Sequence, residues 1–185
     1  MLVIKENDRV YLVESRYEFL EYGHNDHCMV AENVPLFKAK RSNVIIGAVT
    51  SGAVDDIRYA RLPVPRELNL AELKNTTMPS IKDIWRGMGR DDEDGEFFEI
   101  AFAQGNRAFI YRFGDVITEV VDEEAIGIFD MPLRYALKLT RGMPLMDRLQ
   151  TVYKSVENLS ATRLFPLFVI DTVSKKVKMI KESKR

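Results

Sequence analysis

The sequence has few of the features that assign a function directly. Cys28 is its single cysteine, so an internal disulfide is excluded and the cytoplasm is the expected compartment. No apolar run is long enough to cross a bilayer or to form the core of a signal peptide. No Gly-x-Gly-x-x-Gly, Walker-type or Gly-x-Ser-x-Gly pattern occurs, so neither a nucleotide-binding loop nor a nucleophile elbow is predicted.

The chain also lacks a charge of one sign. Its 27 basic and 28 acidic side chains leave a formal net charge of -1, which predicts neither a nucleic-acid nor a membrane partner. The basic C-terminal tail is interpreted as a solvated terminus. With 185 residues, 46% of them hydrophobic, the chain is the size of one globular domain with a substantial core.

The first half of the chain predicts strands and then helices. Alternating and β-branched runs separated by turn residues predict four strands in two hairpins, at residues 1–4, 10–13, 34–37 and 44–49. A polar stretch, residues 21–27, is predicted to connect the hairpins. Helical spacing then predicts a helix over residues 53–61, two short surface helices over 68–73 and 81–85, and an exposed acidic loop over 91–95.

The second half predicts a meander of strands, two helices and a final hairpin. The strands are expected at residues 97–102, 108–113, 116–121, 164–170 and 177–180. Gly142 and Pro144 separate the two helices, which carry apolar faces at residues 133–137 and 145–156. This order predicts an α+β fold, a four-layer αββα sandwich of two mainly antiparallel sheets between two helical layers. We expect a single domain over residues 1–185, with an enlarged helical and loop segment around 62–94.

The same order resembles a known family. The passages at residues 33–41, 43–48, 114–127 and 135–137, together with Lys154-Ser155, are similar to the proteasome β subunit and its bacterial relative, the double-ring peptidase driven by a partner ATPase. The likeness spans nearly the whole chain outside residues 62–94. It implies an N-terminal-nucleophile (Ntn) hydrolase fold, a homo-oligomer and, by resemblance alone, a partner ATPase. It also implies an N-terminal Thr that is both nucleophile and, through its amine, general base.

The sequence departs from that chemistry at its start. Met1-Leu2-Val3 stands where the family needs Thr, Ser or Cys, about two residues short of the family's first position. No glycine is followed by Thr, Ser or Cys, so a self-processing junction is not expected. The family's acidic residue near the end of the second strand falls near Ser15, but Glu14 is adjacent, and a one-residue shift would restore a carboxylate.

Three further positions of the family pattern differ. The lysine position falls at Pro35, three residues before Lys38, or at Leu36, two residues before it, with Lys40 beyond; a three-residue shift turns the strand over or requires a bulge. The Ser-Gly-Gly segment becomes residues 128–130, Ile-Phe-Asp, and the later acidic residue falls near Ala161. These departures predict a catalytically degenerate, self-associating subunit or scaffold, with no catalytic, cofactor-binding or metal-binding residue and no cofactor.

Two alternatives remain at this point. One is an Ntn-type peptidase or amidohydrolase that uses an unrecognised or processed nucleophile. The other is a small-ligand or metal-binding module built on His24-Asn25-Asp26-His27-Cys28. Structural zinc sites need a second pair of ligands, and no further His or Cys exists, so this cluster is interpreted as a polar loop with a buried thiol.

Overall fold

The computed structural model describes residues 1–15, 17–22, 25–30, 35–49, 62–87, 99–112, 116–160 and 163–182, and for 17–22, 25–30 and 85 it describes the backbone alone. The strands are β1 (Leu2–Glu6), β2 (Arg9–Ser15), β3 (Tyr17–Tyr22), β4 (Asn25–Val30), β5 (Leu36–Lys38), β6 (Ile45–Val49), β7 (Glu99–Gln104), β8 (Arg107–Arg112), β9 (Val116–Glu119), β10 (Glu123–Ala125), β11 (Leu167–Asp171) and β12 (Lys178–Ile180). The helices are α1 (Leu70–Glu72), α2 (Met78–Gly87), α3 (Asp130–Leu139) and α4 (Leu145–Ser160). The predicted helix over 53–61 and the loop over 91–95 lie outside the described residues.

Two five-stranded antiparallel sheets carry the fold. The first has the order β10-β1-β2-β11-β12 and the second the order β5-β6-β7-β8-β9. The β1–β2 turn holds Asn7 and Asp8 at φ 50° and 59°, the left-handed pair that a two-residue hairpin loop of matching twist requires. This turn places Leu2 opposite Val13 and so brings Met1 level with Glu14.

Period-two alternation along the strands produces three core layers. Side chains on one face of the first sheet pack with α3 and α4, through Leu2, Ile4, Val13, Leu137, Leu149 and Val152 among others. Those on the outer face of the second sheet pack under the helical stretch 70–87, through Ile46, Ile100, Phe102 and Phe109 with Leu73 and Ile81. Between the sheets lie Met1, Val3, Leu12, Leu36, Ile45, Ala101, Ala103 and Ile110. The predicted αββα order of layers is therefore confirmed.

The segment after residue 62 differs from the prediction in its helices. In place of two short surface helices, a continuous stretch runs through α1, a π-helical turn (Leu73–Thr77) and α2. Leu73 and Ile81 are fully buried, because this stretch packs on the outer face of the second sheet together with Leu62, Val64 and Leu68. The stretch lies at the surface as predicted, with residues 71–72 and 74–76 exposed, but the prediction of two separate short helices was wrong.

The predicted polar connection over residues 21–27 was also wrong. Most of it lies in the hairpin β3–β4, whose register pairs Phe19 with Cys28 and Leu20 with His27. Aromatic residues in 17–22 favour a strand, and backbone pairing satisfies the more polar 25–30. The strands predicted as third and fourth are thus β5 and β6, which pair antiparallel as expected.

The α3–α4 pair and the final hairpin agree with prediction. Gly142, in the connection between the helices, has φ 92°, a conformation that favours glycine. The meander β7–β8–β9 is confirmed, with β9 ending at Glu119. None of the helices in the described parts of the chain is long and apolar enough to span a membrane.

Candidate functional site

The α-amino group of Met1 is buried at the end of β1. Its nitrogen lies 2.8 Å from Oε2 of Glu14 and donates a hydrogen bond to the carbonyl of Ile126 at 2.9 Å. The amine has no exposed surface, and the Glu14 side chain exposes 17%. A buried cation requires a paired carboxylate, so Glu14 is the group that makes this burial tolerable.

The position of Glu14 resolves the alternative that the sequence left open. The Glu14 carboxylate, and not the side chain of Ser15, reaches the start of β1. Ser15 is buried and donates its hydroxyl to the carbonyl of Leu164 at 2.7 Å. An acidic group is therefore retained beside the first residue.

The side chain of Met1 fills the space between the two sheets. It is 4% exposed and lies over Gly47 in β6. A Cβ atom at Gly47 would lie 2.6 Å from the Met1 sulfur and 3.1 Å from Cδ2 of Leu36, so only glycine fits there without movement. The side chains of Met1 and Leu36 therefore both pack over Gly47 and fill this space with apolar atoms.

No lysine from β5 enters this layer. Leu36, one of the two positions predicted to match the family lysine, is 1% exposed and belongs to the layer between the sheets. Pro35 is buried, whereas Lys38 is exposed at the end of the strand. The strand supplies a hydrocarbon side chain where the family resemblance implies a cation.

Tyr153 of α4 bonds to the residue before Glu14. Its hydroxyl donates to the carbonyl of Val13 at 2.9 Å, and the side chain is fully buried. Burial, and then the negative charge of Glu14, raise the pKa of Tyr153 well above its usual value. The phenol is therefore neutral and holds α4 against β2.

A charged network adjoins this site. The carboxylate of Glu99 accepts a hydrogen bond from the main-chain N–H of Gly127 and lies 3.2 Å from Nε of Arg112. Glu124 lies 3.7 Å from Nη2 of Arg112 and 3.0 Å from Nε of Arg134. Glu99 is 7% exposed. Because Glu99 lies in β7, Glu124 in β10 and Arg134 in α3, the network links both sheets to α3.

Sequence reasoning missed this network, although a signal for it exists. The turn at residues 105–106 pairs Gln104 with Arg107, and counting outward along the two strands places Glu99 opposite Arg112. Opposite charges facing each other across an antiparallel pair stabilise it. The contribution of Glu124 cannot be counted in this way, because β10 belongs to the other sheet.

The turn that stands in place of the Ser-Gly-Gly segment uses its own hydrogen-bond donors. The Gly127 N–H is bonded to Glu99, and the Asp130 N–H donates to the Gly127 carbonyl at 2.9 Å. The Met131 N–H donates to the Asp130 carboxylate at 2.5 Å. Three donors that could polarise a carbonyl oxygen are therefore already engaged.

Comparison with known proteins identifies this architecture. No family model and no curated protein matches the sequence. Among solved structures, BPH from Thiobacillus denitrificans in complex with epoxomicin has a TM-score of 0.69 at 11% identity, covering 99% of this chain and 98% of that chain. Anbu, the ancestral β-subunit from Yersinia bercovieri, has 0.66 at 12%, covering 98% and 87%. HslV from Trypanosoma brucei has 0.60 at 11%, covering 92% and 97%.

This is the proteasome β-type fold. The likeness spans almost the full length of both chains, which confirms the resemblance and the fold class expected from the sequence. Identities of 11% and 12% establish the fold and no more.

The buried serine and threonine hydroxyls in the described parts of this proteasome β-type fold have structural partners. Each donates a hydrogen bond to a main-chain carbonyl. The pairs are Ser15 with Leu164, Ser42 with Pro65, Thr77 with Pro63, Thr140 with Ala136 and Thr172 with Gly105. These bonds join loops to strands or close helix ends. An activated nucleophile instead needs a base within hydrogen-bond reach of its hydroxyl.

A separate surface cleft lies beside β9, β10 and α3. Its volume is about 460 Å³, and both signs of charge line it, including Arg112, Glu124, Lys138 and Arg141. Arg141 pairs with Asp122 at 3.4 Å. Neither Met1 nor Glu14 borders the cleft, so it gives no access to the buried amine.

The structure tests the predicted metal-binding alternative only in its backbone, not in its side chains. His24 lies outside the described residues, and residues 25–28 lie in β4, where a loop was expected. Among the residues whose side chains are described, which leaves out 25–28, no group of three His, Cys, Asp or Glu side chains could hold a metal ion.

Proposed function

We propose that this chain is a single-domain, catalytically degenerate proteasome-like subunit or scaffold that associates with copies of itself in the cytoplasm. The observation that carries the proposed loss of catalysis is the environment of Met1. Its thioether has no proton to give up as a nucleophile, and it fills the space over Gly47. Its amine is removed from solvent by Glu14 and Ile126.

Ntn chemistry needs three things at one point: a hydroxyl or thiol, a free amine to take its proton, and donors for the oxyanion. The first is absent from Met1, and the second is inaccessible to a substrate. Donors in the turn after Gly127 are bonded within the protein. Leu36, one of the two positions predicted to match the family lysine, is apolar and cannot help to set the proton affinity of a nucleophile as that lysine is expected to do. The Glu14 carboxylate lies beside Met1 but supplies none of these three functions.

Two observations support the proposed self-association. The similar structures include a β-subunit, that is, a component of an assembly. The surface around α3 also exposes large apolar side chains, notably Met131, Tyr135 and Leu139. Exposed apolar patches of this kind are typical of protein interfaces.

A covalent probe tests the catalytic part of the proposal. BPH binds epoxomicin, so it serves as the positive control. Purified protein is incubated with epoxomicin and its intact mass is measured, with N-terminal sequencing to establish whether Met1 is the first residue. We expect an unmodified mass and no cleavage of fluorogenic peptides under conditions in which BPH is modified. A stoichiometric adduct on this chain would overturn the proposed loss of catalysis.

Light scattering tests the assembly part. At micromolar concentrations we expect a particle mass of at least twice that of the 21.3 kDa chain. A strict monomer over that range would refute self-association and leave the catalytic part standing.

A further inference from the structure

Four hairpin turns at one end of the two sheets are bonded to each other. The N–H of Thr172 donates to the Val10 carbonyl at 3.0 Å, and its hydroxyl donates to the Gly105 carbonyl at 2.6 Å. Nζ of Lys175 donates to Oδ1 of Asn43 at 3.0 Å. The β11–β12 turn therefore lies beside the β1–β2, β7–β8 and β5–β6 turns.

Basic side chains collect on two of these turns, although the whole chain has a formal net charge of -1. Residues 39–43 and 171–178 carry a single carboxylate, that of Asp171, and five cations, which are Lys40, Arg41, Lys175, Lys176 and Lys178. The adjoining β1–β2 turn adds Asp8, while Glu6 and Arg9 face each other across that hairpin and offset one another. Five cations against two carboxylates leave an excess of three positive charges, which the total charge of the chain does not show.

Exposed aliphatic side chains lie among these cations. Val173, Val177 and Met179 are 60%, 40% and 49% exposed. Lys176 and Lys178, which flank Val177 in the sequence, are exposed as well. We call residues 39–43 and 172–179 together the basic tip. It presents apolar and cationic side chains to solvent on the same two turns.

Hydrogen bonds within the β11–β12 turn hold Val173 in its exposed position. Oδ1 of Asp171 accepts the N–H groups of Val173 and Ser174 at 2.9 and 2.8 Å, and Oδ2 accepts the Ser174 hydroxyl at 2.6 Å. The N–H of Lys175 donates to the Asp171 carbonyl at 2.9 Å. An aspartate that bonds to the following N–H groups closes a turn. The apolar side chain is therefore presented in a fixed conformation, which lowers the entropic cost of docking.

We propose that the basic tip docks on an anionic membrane surface, with Val173 and Val177 inserted at the boundary between headgroups and acyl chains and the cations bound to anionic headgroups. Shallow burial of apolar side chains combined with attraction to anionic lipids is sufficient for peripheral membrane binding. The hydrocarbon stem of a lysine lets its ammonium group reach a headgroup while neighbouring side chains are inserted. This inference does not depend on the proposed function, so its failure would leave that proposal standing.

The aliphatic side chains favour a membrane over a nucleic acid. Proteins that bind single strands combine basic groups with aromatic side chains on which the bases stack. Contacts to the phosphate backbone use the cations alone. Neither arrangement removes Val173, Val177 and Met179 from water, whereas acyl chains do. A lipid surface accounts for both the exposed apolar side chains and the surrounding charge.

Cosedimentation with vesicles tests the docking surface. The full chain is mixed with vesicles of phosphatidylcholine, with or without phosphatidylserine, at low and at high salt. We expect binding to the vesicles that contain phosphatidylserine, much weaker binding to phosphatidylcholine alone, and release as salt screens the charges. A wild-type protein that does not sediment with phosphatidylserine vesicles at low salt would overturn the proposal.

A pair of charge variants tests the assignment to the basic tip. Each basic side chain near an anionic surface contributes roughly fivefold, so Arg41→Gln combined with Lys176→Gln should lower the vesicle partition coefficient about 25-fold. The matched control combines Lys74→Gln with Arg86→Gln, which removes the same charges from exposed positions in the helical stretch 70–87. Equal losses in the two double variants would overturn the assignment. Circular dichroism confirms folding, and light scattering confirms equal particle mass, because linked copies bind jointly.

An uncharged substitution separates lipid from soluble polyanions. Val173→Ser removes an exposed aliphatic side chain without changing charge, and it should lower binding to phosphatidylserine vesicles about 10-fold. The same variants are tested against single-stranded poly(U) and polyglutamate in the same buffer. If Val173→Ser retains full vesicle binding and the wild type binds either polymer as tightly as the vesicles, the partner is a soluble polyanion and the membrane proposal is overturned.

Discussion

Replacing Glu14 with alanine is expected to destabilise the protein severely. The substitution leaves the buried amine of Met1 bonded to the Ile126 carbonyl and removes the carboxylate that pairs with it. It also removes Oε1, which accepts a hydrogen bond from the Ser15 N–H at 2.7 Å. Breaking a buried ion pair by removing one partner typically costs 3–5 kcal/mol, and the partial exposure of Glu14 places the expected loss near the lower value, about 3 kcal/mol.

The measurement is urea-induced unfolding followed by fluorescence or circular dichroism at fixed protein concentration, because self-association makes stability depend on concentration. For a chain of this length, a loss of about 3 kcal/mol corresponds to a fall of roughly 6–12 °C in Tm. Glu14→Gln keeps an oxygen acceptor but removes the charge, so its loss of stability should lie between those of the wild type and the alanine variant. The control is Glu182→Ala, which breaks the exposed pair with Lys154 and should cost less than about 1 kcal/mol.

A loss below about 1 kcal/mol for Glu14→Ala, equal to that of Glu182→Ala, would refute the reasoning. It would mean that the amine reaches water when its partner is removed, and that Met1 does not seal the space between the sheets. The burial argument for a missing catalytic centre would then fail together with the ion pair.

Three further predictions concern other parts of the molecule. Gly47→Ala brings a Cβ to 2.6 Å from a buried thioether sulfur, and overpacking should cost about 1–3 kcal/mol in urea unfolding; an unchanged midpoint would contradict the tight fit. Arg148→Met breaks the 2.7 Å pair with Glu123 and should cost about 2–4 kcal/mol, with Arg148→Lys recovering part of it; equal losses for both variants would argue against the pair. Burial alone would raise the pKa of Asp171, but the hydroxyl and N–H of Ser174 and a second main-chain N–H hold it below its ordinary value of 3.8. Its carboxylate therefore stabilises the fold above that pH, and the stability advantage over Asp171→Asn should vanish as the pH falls through the lowered pKa; an advantage that persists in strong acid would contradict this.

Much of the fold follows from local patterns in the chain. Alternating apolar residues predict which strands have two buried faces, and the layers on either side of β1 follow from that alternation. The two-residue turn at Asn7 and Asp8 fixes a register that places Glu14 level with Met1. The resemblance to proteasome β-type subunits rests on the order of elements, which 11–12% identity leaves intact.

Other features depend on distant parts of the chain. The strand character of residues 25–30 comes from backbone pairing with β3, which a polar sequence does not reveal. Leu73 and Ile81 are in the core because the second sheet needs a cover on its outer face. The site depends on distant parts of the chain as well, since Ile126 bonds to Met1 and Gly127 bonds to Glu99, although these residues are far apart in sequence.

The sequence by itself determined the strand alternation, the tight turns, the α3–α4 pair and the absence of a hydroxyl or thiol at Met1, because each depends on residue identity and on near neighbours along the chain. Only the tertiary structure decided that Glu14 is the carboxylate beside that residue, that Leu36 packs in the layer between the sheets, and that α3 has an uncovered apolar face. These three features depend on which surfaces of the sheets and helices are in contact. Long-range packing determines those contacts, and the local sequence pattern does not.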